Sequence, residues 1–200
     1  MLQLREIIFI QIVCFCLFFS GNSLADPLTK TATCAACHGK DGNSPNGIWP
    51  SLAGQGAKYL AQQITAYKSG TRKNASMTPL AMMVADEDIR EISDYYANQP
   101  PSIADIGDFD YTDAEKLYRG GDIDRNVPAC MACHGPTGSG NAPAAYPALR
   151  GQHSEYTVAQ LKAYKDGTRT TDPQAMMRDI AKKLTEKEMI SLGKYISALH

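Results

Sequence analysis

Apolar residues recur at helical spacing along the chain, and the later stretches repeat the earlier ones. Leu60, Ile64 and Tyr67 mark one face of a helix, and Leu161 and Tyr164 mark its counterpart 97 positions on. Ile89, Ile92 and Tyr96 stand at i, i+3 and i+7, and Met189, Leu192, Ile196 and Leu199 repeat and extend that stripe. Thr185 with Glu188 three residues later has the form of a capping box at the start of this last helix. No stretch alternates convincingly at period two, so the pattern predicts an all-α chain. The intervening segments are rich in Gly, Pro, Asn and Ser and predict long loops.

One apolar run has no helical face. Ile7 to Phe19 is broken only by Gln11, with Arg5 before it and Ser23-Leu24-Ala25 after it. It is short for a membrane span, so residues 1–25 are expected to be a secretory leader cleaved after Ala25. Cys14 and Cys16 leave with it, and neither follows a lipobox. The four cysteines that remain are Cys34, Cys37, Cys130 and Cys133.

The repeat extends well beyond the helices. Cys34, Cys37, His38, Gly39 and Gly42 return 96 positions later, and Pro50, Leu52, Gly54 and Gln55 return at an offset of 97. Tyr59, Gln63, Tyr67, Gly70, Thr71 and Arg72 keep the offset of 97, and the final helix matches at 100. A duplicated domain explains this economically. The expected division is a first domain over 26–98, a linker over 99–111 that opens with Pro100-Pro101, and a second domain over 112–200. Each half holds about 75–90 residues and is marginal on an apolar core alone, which implies a cofactor within the core.

Charge adds little. The chain carries 20 Lys and Arg against 21 Asp and Glu, a net charge of −1, so nucleic acid is not an expected partner. Three acids and no base lie in the linker, whereas 112–200 holds 12 bases and 10 acids. Phosphate cradles and catalytic triads are absent, and no catalytic residue is predicted.

The chemistry lies in Cys34-Ala-Ala-Cys37-His38 and Cys130-Met-Ala-Cys133-His134. Cys-x-x-Cys-His attaches haem c: two thiols reach the two vinyl groups of one porphyrin, and the adjacent histidine turns onto the iron. Two motifs imply two covalent haems. Zinc is the alternative, but zinc ribbons place their second cysteine pair about 15–20 residues after the first.

The sixth iron ligand decides the chemistry, because methionine raises the potential, histidine lowers it and an open site admits substrate. His153 has Gly56 as its repeat partner and His200 ends the chain, so both are expected to be surface or structural. Met77 precedes Ala85-Asp-Glu-Asp-Ile89 by eight residues, and Met177 precedes Thr185-Glu-Lys-Glu-Met189 by the same eight. The expected axial pairs are therefore His38 with Met77 and His134 with Met177. Met82, Met83 and Met176 are expected to pack softly against porphyrin or core. Pro50 and Pro147 offer a carbonyl to the proximal imidazole or simply form a turn. Trp49 and Tyr146 are expected to be core aromatics. Arg72 and Arg169 either pair with haem propionates or stand solvated, and both readings remain open.

With Pro50-Ser-Leu-Ala-Gly-Gln-Gly56, Pro147-Ala-Leu-Arg-Gly-Gln-His153, Gly167-Thr-Arg169 and Ala175-Met-Met177-Arg added to the haem motifs, the chain resembles the cytochrome c4 family of dihaem class I cytochromes c. The resemblance implies two tandem class I cytochrome c domains meeting at a pseudo-twofold interface. It further implies a soluble periplasmic electron carrier between a quinol-oxidising donor such as quinol–cytochrome c reductase and a haem-copper terminal oxidase. It would dock peripherally on membrane complexes, as a monomer or weak dimer. One rival is the haem subunit of a periplasmic dehydrogenase such as flavocytochrome sulfide dehydrogenase, and another is a dihaem oxidoreductase acting on peroxide or thiosulfate. One departure stands out: few residues precede Cys34 after the expected cleavage, so a stunted opening helix and a wetter, lower-potential first haem are expected. Arg178, Lys182 and Lys183 are expected to raise the potential of the second.

Overall fold

The computed structural model describes residues 27–105 and 107–200; the leader expected over 1–25 lies outside them. The first half holds α1 (Pro27–His38), α2 (Ala57–Lys68), α3 (Met77–Met82) and α4 (Asp88–Ala97). The second holds α5 (Thr112–Gly120), α6 (Met131–His134), α7 (Ser154–Lys165), α8 (Met176–Lys183) and α9 (Glu186–Ser197). Among the described residues the only β pairing is two isolated bridges, Asp122 with Val127 and Asn141 with Tyr146. The all-α expectation holds. No described helix is long and apolar enough to cross a membrane.

Each half repeats one packing scheme. Helix α2 packs on α3 and α4, and α7 packs on α8 and α9. The stripe Ile89, Ile92 and Tyr96 is buried, as is Met189, Leu192, Ile196 and Leu199. Helix α9 starts as its sequence predicts: Glu188 N donates to Thr185 Oγ1 at 3.2 Å, and Thr185 N donates to Glu188 Oε2 at 2.8 Å. Two of the four orphan N–H groups at a helix start are thereby satisfied.

The opening segments differ. In the second half α5 buries Ala114, Leu117 and Tyr118 against α9, and a turn closed by the Asp122–Val127 bridge separates it from the haem motif. In the first half Pro27 to Thr33 are not a stunted, separate helix. They form the leading part of α1, which runs without a break into Cys34-Ala-Ala-Cys37-His38. Lys30 on this part pairs with Asp88 at 2.8 Å and Glu91 at 2.5 Å on α4, tying the helix down by charge where α5 uses apolar burial.

Residues 99–105 lie across both halves. Gly54 (φ +66°) and Gly151 (φ +69°) are repeat equivalents, and the segment crosses both. A Cβ on Gly54 would stand 3.0 Å from Pro101 Cδ, and one on Gly151 would strike the Ser102 carbonyl. Glycine is required twice over, by the left-handed backbone and by the passing chain. Ser102 N donates to Asn43 Oδ1 at 2.8 Å and Ala104 N donates to Ser197 O at 2.9 Å, so the segment is hydrogen-bonded to one half and then the other.

Two glutamines join the halves reciprocally. Gln55 Nε2 donates to Ala148 O (2.9 Å) while Ala148 N donates to Gln55 Oε1 (2.8 Å). Gln152 Nε2 donates to Ser51 O (2.9 Å) while Ser51 N donates to Gln152 Oε1 (2.9 Å). Each amide side chain mimics a strand edge against the opposite backbone, and the two contacts are related by the repeat. His153 breaks the symmetry: its Nε2 lies 2.9 Å from Ser44 O, across the interface, where Gly56 has no side chain to answer. It is structural, as expected.

Candidate functional site

Both haem motifs open onto one cavity of about 1390 Å³ that runs through the two halves. Its walls are largely apolar, with Trp49, Leu52, Leu60, Ile64 and Leu80 on one side of the interface and Tyr146, Leu149, Leu161, Ile180 and Leu184 on the other. Cys34, Cys37, Cys130 and Cys133 all line it. Burial holds the Cys34 thiol above its ordinary pKa and pushes Cys130 up to about 11. Among the described residues no group of three or more His, Cys, Asp and Glu is placed to hold a metal ion.

The two histidines are held identically. His38 Nδ1 lies 2.8 Å from Pro50 O and His134 Nδ1 lies 2.9 Å from Pro147 O. A carbonyl only accepts, so Nδ1 carries the proton and Nε2 keeps its lone pair. Burial lowers both imidazole pKa values, with the carbonyl bond opposing, so both rings are held neutral. A neutral, oriented imidazole whose other nitrogen is bound to a backbone carbonyl is the arrangement a metal-ligating histidine needs. Of the two readings of Pro50 and Pro147, the geometry selects the carbonyl acceptor.

Met77 and Met177 both line the cavity at the first turns of α3 and α8, and Met176 lines it beside Met177. Met82 and Met83 do not: they are 65% and 77% exposed, so the expectation that they pack against porphyrin or core is corrected. The helix makes one turn per 3.6 residues, and positions five and six beyond Met77 fall on its outer face. The two methionines are held by different chemistry. Asn74 Oδ1 accepts from Met77 N at 2.9 Å and Ser76 N at 3.0 Å. In the second half the loop is three residues longer, and Gln174 (φ +49°) and Ala175 (φ +60°) are left-handed. The almost fully buried Asp172 carboxylate there accepts from Arg178 Nε at 2.8 Å and Arg178 N at 3.0 Å, pinning the start of α8 against that strain. The sequence reading missed this pair; an acid six residues before a base is too common to stand out.

Arg72 and Arg169 are 6% and 5% exposed, which removes the solvated-surface reading. They lie at the interface, each stacked on a tyrosine of its own half, Arg72 on Tyr67 and Arg169 on Tyr164. Neither has a carboxylate partner among the described residues, and Arg169 Nε has no hydrogen-bond partner at all. Two buried cations side by side with neutral neighbours call for an anion in the cavity. The polar residues around them, Tyr59, Gln63, Tyr156 and Gln160, also went unassigned from sequence. Their signal was the repeat itself, which keeps polar residues on helix faces that an apolar core would otherwise occupy.

The set fits haem c: paired thiols beside an oriented histidine, a methionine lining the same cavity, apolar walls and buried cations that call for an anion. Comparison with known proteins agrees. The cytochrome c family model matches residues 27–100 and 112–200. Cytochrome c4 of Azotobacter vinelandii is 41% identical over 181 residues, covering 86% of each chain. A thiosulfate dehydrogenase electron acceptor of Stutzerimonas stutzeri is 37% identical over 169 residues, covering 82% of this chain and 77% of the relative. The crystal structure of reduced recombinant cytochrome c4 from Pseudomonas stutzeri superposes with a TM-score of 0.84 at 40% identity, covering 87% of this chain and 97% of that one. With both halves matched and the whole arrangement shared with these relatives, the chain belongs to the cytochrome c4 family and binds two haem c groups, through Cys34 and Cys37 in one half and Cys130 and Cys133 in the other.

Proposed function

We propose that this dihaem electron carrier is a soluble periplasmic protein without catalytic activity, composed of domains at 26–98 and 112–200 behind a leader cleaved after Ala25. It takes electrons from a quinol-oxidising complex and passes them to a haem-copper terminal oxidase, docking peripherally on each. The iron ligands are His38 with Met77 and His134 with Met177, and Arg72 and Arg169 face the propionates. The observation that carries this reading is the matched pair of buried histidines, each proton-locked by a proline carbonyl and each sharing the cavity with a methionine at a helix start.

Haem supplies a one-electron couple. His38 with Met77 and His134 with Met177 would hold the two irons and leave no position for substrate, and the apolar cavity walls would keep water out. Held in this way, haem would relay electrons and would not activate peroxide. Export follows from the leader-like N-terminus.

A second reading has its own support: relatives that accept electrons from thiosulfate dehydrogenase make a dehydrogenase partner the alternative donor. It stands beside the flavocytochrome partner in the alternative drawn from sequence.

The test is the oxidised-state optical spectrum, whose weak far-red band reports methionine sulfur on iron. Met77→Ala and Met177→Ala each remove about half of the band and leave covalent haem in place, whereas Met82→Ala, Met83→Ala and Met176→Ala leave it intact. Loss of the band in Met83→Ala with retention in Met77→Ala sinks the ligand assignment.

A further inference from the structure

The two buried arginines are held across the interface. Arg72 belongs to the first half, yet its Nη2 donates to Tyr156 Oη (2.9 Å) and Gln160 Oε1 (2.8 Å) on α7 of the second. Arg169 belongs to the second half, yet its Nη2 donates to Tyr59 Oη (2.8 Å) and Gln63 Oε1 (3.1 Å) on α2 of the first. Each also reaches the glutamine of its own half, Arg72 Nη1 to Gln63 Oε1 at 2.8 Å and Arg169 Nη1 to Gln160 Oε1 at 2.9 Å. The result is a closed ring in which two amide oxygens bridge two guanidinium groups, with one tyrosine from the opposite half on each.

The ring is rich in donors and poor in acceptors. Each tyrosine oxygen accepts from an arginine, so its own proton remains to be donated, and no acceptor for it exists among the described residues. Both glutamine oxygens are already shared between two donors. All these side chains line the haem cavity. The surplus of donors and the two uncompensated charges point the same way, towards carboxylates within the cavity.

We propose that the potential of each haem is tuned from the opposite half: Tyr156 is the positioning residue for Arg72 at the first haem, Tyr59 is the positioning residue for Arg169 at the second, and Gln63 and Gln160 couple the two. This rests on the reading that each arginine faces the propionates of its own half's haem. A guanidinium fixed beside the propionates favours the reduced, less positive iron, and loosening it lowers that haem's potential. A tyrosine that acted only in packing would leave the potential unchanged when its ring is kept and its hydroxyl removed.

The experiment is a redox titration of the full-length holoprotein in two backgrounds, Met77→His and Met177→His, each of which displaces one known haem wave downward and so labels it. In each background Tyr156→Phe, Tyr59→Phe, Arg72→Gln and Gln63→Leu are compared with the parent, with haem content and far-UV circular dichroism confirming an intact fold. Tyr156→Phe lowers the first-half wave and spares the second, and Tyr59→Phe does the reverse. Each shift is a roughly threefold change in the reduced-to-oxidised ratio at fixed potential, or about 30 mV for a one-electron couple. Gln63→Leu lowers both waves. The crossing is overturned if each tyrosine variant moves only the wave of its own half, or moves neither while Arg72→Gln lowers the first. If Arg72→Gln leaves the first-half wave in place, the propionate reading itself is wrong and the crossing falls with it.

Discussion

The two halves hold the same chemistry on unequal scaffolds. In the second, ten buried apolar residues form one cluster: Ala114, Leu117, Tyr118, Val127, Leu184, Met189, Leu192, Tyr195, Ile196 and Leu199. Tyr118 stacks edge-on against Tyr195 with centroids 5.5 Å apart and donates its hydroxyl to Gly135 O at 2.7 Å, beside the haem motif. The corresponding cluster of the first half has three buried members, Leu60, Ile92 and Tyr96. What both halves retain is the histidine–proline carbonyl bond, the methionine at a helix start, the interface arginine with its tyrosine and glutamine, and the glycine under the linker. Residues that meet the cofactor or the symmetry axis are held by geometry on two sides. Residues that only fill space have other solutions available, here a separate apolar helix in one half and a charge-tied extension of the haem helix in the other.

The comparison breaks most visibly when haem is withheld. Cys34→Ala with Cys37→Ala is expected to unfold the first half, because a core whose apolar cluster has only three buried members does not offset the chain entropy of about 75 ordered residues. Cys130→Ala with Cys133→Ala is expected to leave α5 and α9 partly protected in hydrogen exchange. Native-like helicity with a cooperative thermal transition in the first variant contradicts this.

Paired core substitutions sharpen it. Leu192 and Ile92 are repeat equivalents, both buried, and truncation to Ala costs about 2–5 kcal/mol at such sites. Leu192→Ala belongs at the upper end, in the denser cluster, and Ile92→Ala at the lower, where fewer neighbours are lost. Urea midpoints of the two holoproteins decide it, and equal costs remove core density as the distinction.

The methionine loops come next. Asp172→Asn removes a charge-assisted pair worth about 1.5–3 kcal/mol and is expected to lower the temperature at which the second half loses its share of the far-red band. Asn74→Ala removes a neutral cap worth about 1 kcal/mol and shifts the first half less. A larger shift for Asn74→Ala shows that the ionic contact is not what secures the strained second loop.

Acid has the smallest effect. Hydrogen bonds from Arg125 hold the carboxyls of Asp122 and Glu188 below their ordinary pKa values. A carboxylate whose folded pKa is depressed adds stability above its unfolded pKa, and that stability is lost as pH falls through the folded value. Below about pH 4 the second half therefore loses part of its advantage, and hydrogen-exchange protection of α9 drops towards that of α4. Protection that stays constant from pH 6 to pH 3 excludes the contribution.

Of the three cations expected to raise the potential of the second haem, Arg178 pairs with the buried Asp172 and Lys182 stands 3.7 Å from Asp179, whereas Lys183 donates to Asn126 O, keeps its charge and lines the cavity. Similarly, the helix expected to be stunted before Cys34 is continuous with the haem motif, because no glycine or proline separates Leu28 from His38. The equivalent stretch of the second half carries Gly120, Gly121 and Pro128, which break it.

The sequence alone determined the helices, the duplication, the haem attachment cysteines and the two methionine candidates. Each of these is encoded locally, in a period, a spacing or a repeat register, and local encodings survive without knowledge of what lies opposite. Tertiary structure alone decided that Arg72 and Arg169 are buried, that their partners come from the other half, and that Asp172 answers Arg178. It also decided that Gly54 and Gly151 are glycines for the sake of a segment passing over both. Burial and pairing are properties of two surfaces meeting, and a buried guanidinium and a solvated one are spelled with the same letter until the surface that covers them is in place.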